Sequence, residues 1–308
     1  MTILITGGCG FIGSNVAMGF HKDGHKVVVI DDLSRPNVQR NREWLQDAGV
    51  SVVVGDFVLK TESMQLEPDV VFHLAGQVGV QTSIDNPTFD FDTNLVKTFK
   101  LLEYLRKLPN KPLIVFASTN KVYGDIQVSE PVNELQPLHF CTPYGCSKGG
   151  AEQYILDYDK TLGLPGVVLR MSCVYGNRQM GTEEQGWLCH FTRNRDNHVT
   201  IYGDGEQVRD ALYIDDYVEL CKQLVANKDK VRGQAFNIGG GEKNVISVNE
   251  ALQEIGNSDV EYTDWRPSDQ RYYVSDITKI KETIGWEPKI GLKEGLSKLD
   301  KWCQELAS

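Results

Sequence analysis

The stretch TILITGGCGFIGS, residues 2–14, joins a short apolar run to a segment with helical spacing through a turn built on glycine. It matches the pattern G-x-G-x-x-G from Gly8 and G-x-x-G-x-x-G from Gly7. In a strand–turn–helix unit such glycines let the backbone turn tightly and approach a pyrophosphate, and the N-terminus of the helix favours the anion. The stretch predicts a dinucleotide-binding turn; a glycine-rich turn without a ligand is the alternative.

The first half of the chain continues this alternation of strand and helix. Unbroken Val, Ile and Leu runs indicate strands buried on both faces, and strands that alternate with helices form parallel sheets through right-handed crossovers. We expect the α/β class: a Rossmann doubly wound parallel sheet, followed by a smaller mixed C-terminal lobe. The predicted strands are 2–6, 26–31, 50–56, 69–75, 113–118 and 166–172, and the predicted helices are 11–23, 88–107 and 143–162.

The composition of the 308-residue chain is that of a globular, acidic protein. The net charge is −10, with a pI of about 5.2 and no dense basic stretch, so a nucleic-acid partner is not expected. No apolar run approaches the roughly 20 residues that span a bilayer, so no membrane association is expected. The seven cysteines contain no C-x-x-C pair, which predicts reduced thiols in the cytoplasm and no metal site.

Acidic residues end the second and third predicted strands. Asp31 follows the last glycine of the turn by about 20 residues, the spacing of an acid that holds the adenine ribose hydroxyls and repels a 2′-phosphate. The position favours NAD over NADP, while Arg35 keeps NADP open. Asp56 is a candidate either for the adenine amine or for a turn or helix cap, and His73, for which no partner can be named, is interpreted as structural.

Tyr144 and Lys148 lie four residues apart on the predicted helix 143–162 and therefore share one of its faces. A free tyrosine, with a pKa of about 10, is a poor base, but an ammonium group and a positive nicotinamide ring both favour the phenolate. Bringing that pKa near 7 takes about 4 kcal/mol of differential stabilisation. A lone Y-x-x-x-K pattern is common by chance. Its place after a dinucleotide turn and the hydroxyl pair Ser118–Thr119 predicts a proton-transfer pair.

Sequence blocks spread over nearly the whole chain carry a further signal. They are TGGCGFIGS (6–14), VIDDLSR (29–35), HLAG (73–76), STNKVYG (118–124), PYGCSKGGAE (143–152), LRMSCVYG (169–176), GDGEQVRDALYIDD (203–216) and RPSD (266–269). Together they resemble the extended short-chain dehydrogenase/reductases that act on nucleotide sugars. The resemblance implies an NAD-binding Rossmann domain at 1–176 with later segments interleaved, a nucleotide-sugar-binding lobe at 177–308, and a homodimer held by the two long helices.

The resemblance also implies roles for individual residues. Thr119 takes the place of the family's catalytic hydroxyl residue, Tyr144 that of the base, and Lys148 that of its partner. The expected NAD contacts are Gly7, Gly10, Phe11, Ile12, Gly13, Asp31, Asp56, Leu74, Ala75, Asn94, Ser118, Tyr144 and Lys148. The expected substrate contacts are Gln77, Thr119, Asn120, Cys173, Gln179, Trp187, Arg209 and Arg266, with the two arginines clamping the pyrophosphate. For the two glutamines and the tryptophan, packing or surface exposure is an equal alternative.

Two departures from the family pattern narrow the expected reaction. Thr119 is followed by Asn120 and Lys121. The 4,6-dehydratases that the chain resembles have Asp-Glu at these two positions and need those acids to remove water, so loss of water is not expected. Cys173 stands where galactose-type 4-epimerases usually carry asparagine, which puts 4-epimerisation in the usual pose in doubt.

The blocks STNKVYGD (118–125) and QGW (185–187) are most similar to those of CDP-tyvelose (CDP-paratose) 2-epimerases. They predict an NAD-dependent epimerase that inverts C2 of a CDP-hexose, of the CDP-paratose, CDP-tyvelose or CDP-glucose type, by transient hydride transfer. Three alternatives stay open: a UDP- or CDP-sugar 4-epimerase, an NAD(P)-dependent nucleotide-sugar reductase, and a catalytically silent dinucleotide sensor.

Overall fold

The computed structural model describes residues 1–127, 129–266 and 269–307. Its strands are β1 (Thr2–Thr6), β2 (Lys26–Asp31), β3 (Ser51–Val54), β4 (Val70–His73), β5 (Leu113–Thr119), β6 (Gly166–Met171), β7 (Cys173–Tyr175), β8 (Val199–Tyr202), β9 (Val208–Tyr213), β10 (Gln234–Ile238), β11 (Val245–Ser247), β12 (Val260–Thr263) and β13 (Tyr272–Tyr273). Its α-helices are α1 (Phe11–Lys22), α2 (Gln39–Asp47), α3 (Phe57–Ser63), α4 (Val80–Asp85), α5 (Pro87–Phe91), α6 (Lys97–Leu105), α7 (Thr142–Leu162), α8 (Trp187–Arg193), α9 (Ile214–Ala226), α10 (Lys228–Val231), α11 (Val248–Ile255), α12 (Thr278–Ile284) and α13 (Leu292–Ala307). A π-helical segment (Asp92–Val96) joins α5 to α6, and 3₁₀ helices cover Asn120–Tyr123 and Glu242–Asn244.

Seven strands form the main sheet, in the order β10-β6-β5-β4-β1-β2-β3. All neighbouring pairs are parallel, and the strand order reverses between β1 and β4, the place where such sheets open a crevice for ligands. The predicted α/β class and Rossmann sheet are confirmed. β10 lies beyond residue 176, so a segment from the second half of the chain completes the sheet. The division at residue 176 stays a prediction.

Helices cover both faces of this sheet, which explains why its strands read as unbroken apolar runs. Along β1, Ile3 and Ile5 belong to the buried cluster on one face, and Leu4 belongs to the cluster on the other. α1 and α9 supply side chains to the first cluster, and α6 and α7 supply the second. This double packing fixes the carboxyl ends of the strands, from which the candidate site residues project.

The predicted helices 11–23 and 143–162 correspond to α1 and α7. The predicted helix 88–107 is continuous but not uniformly α-helical, because it passes through the π-helical segment Asp92–Val96. Such segments insert an extra residue into a helix and occur frequently at functional sites. This one carries Asn94, whose side chain is buried against the loop after β4.

The second half of the chain forms the smaller, mixed part. β7, β9, β11 and β13 form one sheet in which β9 pairs with the other three, and β8 pairs with β12. β7 follows β6 with only Ser172 between them, so the chain passes directly from the main sheet into the second one. Within the described part of the chain, no helix is both long enough and apolar enough to cross a membrane.

Candidate active site

The glycine turn between β1 and α1 is shaped by close backbone contacts. Gly7 has a φ of +68°, and a Cβ placed there would lie 2.7 Å from the backbone of the loop after β4. A Cβ on Gly13 would lie 2.5 Å from the Gly7 carbonyl oxygen, so a larger residue at either position would displace the turn. Gly10 caps α1 without a side-chain acceptor, and Phe11 and Ile12 open the helix half-buried. The N–H groups of the first turn are therefore available to an anion.

Asp31, at the end of β2, closes the far side of the same turn. Its carboxylate accepts from the Cys9 N–H at 2.9 Å and from the Leu33 N–H at 2.8 Å. Burial raises the pKa of Asp31, and these two hydrogen bonds oppose the rise. Arg35, in the loop that follows, is close enough for its charge to interact with both Asp31 and Tyr144. Arg35 is therefore near both the predicted ribose-binding acid and the predicted base.

Asp56 follows β3 and caps α3. Its Oδ1 accepts from the N–H groups of Val58 and Leu59 at 3.0 and 3.1 Å, and its Oδ2 lies 3.0 Å from Lys97 Nζ. Burial raises the pKa of Asp56, but the hydrogen bonds from Lys97 and the backbone outweigh it, and the pKa is lowered overall. The helix cap named as the alternative role is present, and contact with the adenine amine stays a prediction.

The loop after β4, which contains Leu74 and Ala75, runs beside the glycine turn. Hydrogen bonds from the side chain of Asn94 hold it in place. Asn94 Oδ1 accepts from the Gln77 N–H at 2.9 Å, and its Nδ2 donates to the Gln77 carbonyl at 3.0 Å. The same Nδ2 also donates to Asp90 at 3.0 Å. Because these contacts engage both ends of the Asn94 amide, this side chain positions the loop. Direct contact of Leu74, Ala75 or Asn94 with a cofactor stays a prediction.

His73, at the end of β4, is held inside the sheet. Its Nδ1 lies 2.7 Å from the Thr6 hydroxyl and its Nε2 lies 2.9 Å from the Thr98 hydroxyl. Burial, together with the charge of Lys148, lowers the pKa of His73 to about 3, so the ring is neutral near pH 7. Both ring nitrogens are engaged by threonines, and the structural interpretation of His73 is confirmed.

Thr119, Tyr144 and Lys148 lie together at the carboxyl end of β5. Thr119 is the last residue of β5, and its side chain is close enough to the Tyr144 hydroxyl to lower the pKa of that phenol. Tyr144 and Lys148 lie one turn apart on α7, with only 8 % and 4 % of their surfaces exposed. The Tyr144 N–H donates to Ser83 Oγ at 3.2 Å, and Lys148 Nζ lies 4.4 Å from the centre of the Phe116 ring. The three predicted catalytic side chains thus form one buried group.

Burial dominates the charge states of this group. It raises the pKa of Tyr144 to about 12; the Thr119 hydrogen bond lowers it and the charge of Asp90 raises it further. Burial lowers the pKa of Lys148 to about 8, against the opposing charges of Asp90 and Glu152. In the protein alone the Tyr144 phenol is therefore protonated near pH 7. Its use as a base requires additional positive charge beside it.

Two buried carboxylates behind this group were not predicted from the sequence. Asp90 accepts from Ser147 Oγ at 2.5 Å. Glu152 lies one turn after Lys148 on α7 and accepts from Ser118 Oγ at 2.7 Å. It also forms a salt bridge of 2.7 Å with the buried Arg170 of β6. The position of Glu152 four residues after Lys148 was a signal that helical spacing offered. Asp90 lies on α5, and only the tertiary fold brings it to this place.

Cys173, Gln179 and Trp187 lie beyond the carboxyl edge of the main sheet. Trp187 Nε1 donates to Cys173 Sγ at 3.1 Å, and Gln179 Nε2 donates to the Val174 carbonyl at 3.3 Å. Gln77 and Gln179 are each 8 % exposed, and within the described ranges their Oε1 atoms have no hydrogen-bond partner. A buried acceptor without a partner is costly, which is consistent with the predicted substrate contacts of Gln77 and Gln179; those contacts stay a prediction.

Arg209 and Arg266, the predicted pyrophosphate clamps, have different protein partners. Arg209 Nη2 donates to Asp269 Oδ1 at 2.9 Å. Both terminal nitrogens of Arg266 donate to the Glu183 carbonyl at 3.1 Å, and its guanidinium lies 3.8 Å from the centre of the Tyr202 ring. The joint clamp therefore stays a prediction.

Asn120 and Lys121 connect the end of β5 to Asp269 and Gln270, in the C-terminal segment just before β13. Asn120 Nδ2 donates to Gln270 Oε1 at 3.0 Å. Lys121 Nζ lies 3.4 Å from Asp269 Oδ1, the same oxygen that Arg209 contacts. The structure thus groups Arg209 with Lys121, which from the sequence alone was notable only as a departure from the dehydratase pattern. The predicted contact of Asn120 with substrate stays untested beside its observed contact with Gln270.

Known proteins match this chain over nearly its whole length. The sequence profile of the GDP-mannose 4,6 dehydratase family matches residues 4–299. CDP-paratose 2-epimerase of Salmonella typhi is 41% identical, over 99% of this chain and 100% of that protein. The structure of UDP-glucose 4-epimerase from Thermotoga maritima with UDP-glucose is 32% identical, with a TM-score of 0.87 over 100% of both chains. The complex of Thermus thermophilus UDP-glucose 4-epimerase with NAD is 29% identical, with a TM-score of 0.87 over 99% of both chains.

These matches agree with the architecture, a seven-stranded parallel sheet covered by helices. The chain belongs to the GDP-mannose 4,6-dehydratase family of extended short-chain dehydrogenase/reductases.

Proposed function

We propose that this chain is an NAD-dependent isomerase that inverts C2 of a CDP-hexose of the CDP-paratose, CDP-tyvelose or CDP-glucose type. The observation that carries the proposal is the buried Thr119–Tyr144–Lys148 group. The loop after β4 links it to the glycine turn, because a Cβ added at Gly76 would lie 3.7 Å from Lys148 Nζ and one added at Gly7 would lie 2.7 Å from the Ala75 backbone. The relative that is 41% identical over 99% of this chain is a CDP-paratose 2-epimerase. That protein's substrate class supports the choice of C2 and of cytidine.

The residues of the cleft fit NAD. The turn has no room for a Cβ at Gly7 or Gly13, and the N-terminus of α1 that faces it lacks a side-chain cap. These glycines would hold the pyrophosphate and Asp31 the adenine ribose. A structural relative was solved as an NAD complex. When bound, the cofactor supplies a hydride acceptor that also returns the hydride, so it is not consumed.

The chain's own side chains move one proton. Thr119 hydrogen-bonds the substrate hydroxyl at the reacting carbon and directs it toward Tyr144. The Tyr144 phenolate takes the hydroxyl proton as the carbon becomes a ketone, and returns it to the same oxygen after the sugar has presented its other face. Lys148 stabilises the phenolate. A positioned general base of this kind contributes about 10²–10⁴-fold to rate.

Removal of water is not part of the proposed reaction. The side chain of Asn120 is neutral and donates to Gln270, and Lys121 is a cation. Neither supplies the carboxyl group that the family's dehydratases use after the threonine. Thr119 and Tyr144 are buried, which suits a C2 ketone that is prone to side reactions beside the anomeric pyrophosphate.

A UDP- or CDP-sugar 4-epimerase is the second candidate. It is favoured by the TM-score of 0.87 to a UDP-glucose 4-epimerase over the whole chain. The residue at position 173 argues against the usual 4-epimerase pose, because Cys173 is engaged by Trp187 and does not offer the amide of asparagine. The same proton chemistry serves either carbon, so the seating of the sugar decides between them.

The test is to incubate the purified protein with CDP-glucose, CDP-paratose and UDP-glucose without added cofactor and to follow the sugar protons by NMR. Inversion at C2 is expected. Inversion at C4 alone would establish the second candidate. Turnover that needs added NADPH would establish a reductase, and bound dinucleotide without any turnover would establish a sensor.

A matched pair of tyrosine variants on α7 tests the base. Tyr144→Phe should lose about 10²-fold or more of the turnover while keeping its bound nucleotide. Tyr154→Phe, on the same helix, keeps the aromatic ring and removes only a hydroxyl, so it should retain both turnover and the dimer proposed below. Full activity of Tyr144→Phe would refute its role.

We further propose a homodimer in the cytoplasm. Phe89, Phe91, Phe99 and Tyr154 are 47%, 53%, 38% and 44% exposed along α5, α6 and α7. Large exposed apolar patches are typical of protein interfaces. The double variant Phe91→Glu, Tyr154→Glu should be monomeric in light scattering, and a monomeric unmodified protein would refute the dimer.

The seven cysteines are free, which supports a reducing compartment.

A further inference from the structure

Lys121 connects the buried catalytic group to the part of the site predicted to hold phosphate. It belongs to the 3₁₀ helix Asn120–Tyr123 that follows β5, two residues after Thr119. Its N–H donates to Thr119 Oγ1 at 3.2 Å. Its side chain extends to the C-terminal segment, where Nζ lies 3.4 Å from Asp269 Oδ1. The backbone of Lys121 is thus fixed to the threonine, while its charge lies beside Asp269.

Two cations share one carboxylate at this place. Arg209 Nη2 lies 2.9 Å from the same Asp269 oxygen. The exposed fractions of the side chains are 21% for Lys121, 11% for Arg209 and 21% for Asp269. Burial lowers the pKa of Lys121, the charge of Asp269 opposes this, and the charge of Arg209 adds to it. Among the described residues, Asp269 is the carboxylate that both of these half-buried cations contact, and the phosphate of a ligand would add a second anionic group beside them.

The surroundings of this charge indicate where in the site such an anion would lie. The charges of Arg209 and Lys121 both act on the Cys173 thiol, which accepts the hydrogen bond from Trp187. Cys173 and Trp187 are predicted substrate contacts, and Thr119 lies two residues from Lys121. Lys121 and Arg209 therefore lie near the predicted sugar contacts, where the charge of Asp210 opposes theirs at Cys173.

We propose that Lys121, together with Arg209, binds the sugar-proximal phosphate of the nucleotide-sugar substrate and thereby determines which carbon reaches Tyr144. The inference rests on the proposed function, because it takes a nucleoside diphosphate sugar as substrate. An ammonium group binds phosphate as a point charge. The anomeric carbon carries this phosphate, C2 is its direct neighbour, and C4 lies across the ring. Because the Lys121 N–H also donates to Thr119 Oγ1, a phosphate bound by Lys121 would favour C2, the carbon nearer the phosphate, as the carbon at Tyr144.

The test compares equilibrium binding of CDP and CMP to the NAD-loaded protein by calorimetry. CDP contains the phosphate that would be sugar-proximal in the substrate, and CMP lacks it. Lys121→Met should weaken CDP binding about tenfold or more, as for loss of a hydrogen bond to a charged group, and should leave CMP binding unchanged. Lys121→Arg should restore most of the preference for CDP. Lys160→Met, which removes a charge at the exposed end of α7, should bind both nucleotides as the unmodified protein does.

The ratio of CDP to CMP affinity separates phosphate binding from a structural role. Equal weakening of both nucleotides in Lys121→Met, without rescue by Lys121→Arg, would make Lys121 structural and refute the proposal. Unchanged binding of both would also refute it. If UDP and UMP bind in place of the cytidine nucleotides, the cytidine part of the proposed function is wrong, and the UDP-to-UMP ratio then tests Lys121 in the same way.

Discussion

Tyr144 is expected to be a neutral phenol in the cofactor-free protein and to ionise near neutral pH only with the positively charged cofactor bound. Burial raises its pKa to about 12, although the hydrogen bond with Thr119 opposes the rise. A pKa near 7 therefore requires a shift of about 5 units, or about 7 kcal/mol of preferential stabilisation of the phenolate. That is about 3 kcal/mol more than a free tyrosine needs, because the site first removes the phenolate from water.

The assay is an ultraviolet difference titration of phenolate absorbance between the unmodified protein and Tyr144→Phe, with and without NAD. The subtraction isolates one of the 12 tyrosines of the chain. A raised pKa keeps the proton on the phenol up to higher pH, so the cofactor-free difference should show no ionisation below about pH 10, the pKa of a free tyrosine. The cofactor-loaded difference should move down by several units. Ionisation below the free-tyrosine pKa without cofactor, or one pKa in both states, would refute the reasoning.

Glu152→Gln removes the charge that compensates the buried Arg170 and should lower the free energy of unfolding in urea by about 3 kcal/mol or more. The same change at the half-exposed Glu287, which pairs with Lys281, should have at most a small effect; equal effects would contradict the argument. Gly13→Ala places a Cβ 2.5 Å from a backbone oxygen and should reduce the NAD content of the purified protein, whereas Gly291→Ala, which meets nothing within 4 Å, should not. His73, with a pKa lowered to about 3, stays neutral in the folded protein while the unfolded chain gains a proton below its ordinary pKa of 6.5. The free energy of unfolding should therefore decrease as the pH is lowered from about 7 to about 5. His73→Gln should remove about 2 kcal/mol of this decrease, and an unchanged dependence on pH in that variant would contradict the argument.

The features predicted from sequence are those that neighbouring residues determine. Ile3, Leu4 and Ile5 are all apolar because β1 is buried on both faces, and this pattern predicted a parallel sheet. Tyr144 and Lys148 are one helical turn apart, so their spacing alone placed them on one face of α7.

The features that sequence did not predict depend on contacts between distant segments. Asp90 lies on α5, yet its charge acts on Tyr144 and Lys148 of α7. Asp269 meets Lys121 across 148 residues of chain. The π-helical segment that carries Asn94 also lacks a residue pattern of its own, because the hydrogen bonds of Asn94 to the loop after β4 form only in the tertiary fold.

The residues that follow Thr119 show how a shared fold separates related reactions. Asn120 donates to Gln270, and Lys121 pairs with Asp269, so each position has a partner in the C-terminal segment. The 4,6-dehydratases that the chain resembles have an acid at the position of Lys121, and such an acid would lie beside Asp269 here. Of the three side chains at positions 121, 209 and 269, Arg209 would then be the remaining cation and would face two carboxylates. Two carboxylates at such short range destabilise each other. Exchange of residues 120 and 121 alone would therefore not create a dehydratase site, because their partners in the C-terminal segment would have to change with them.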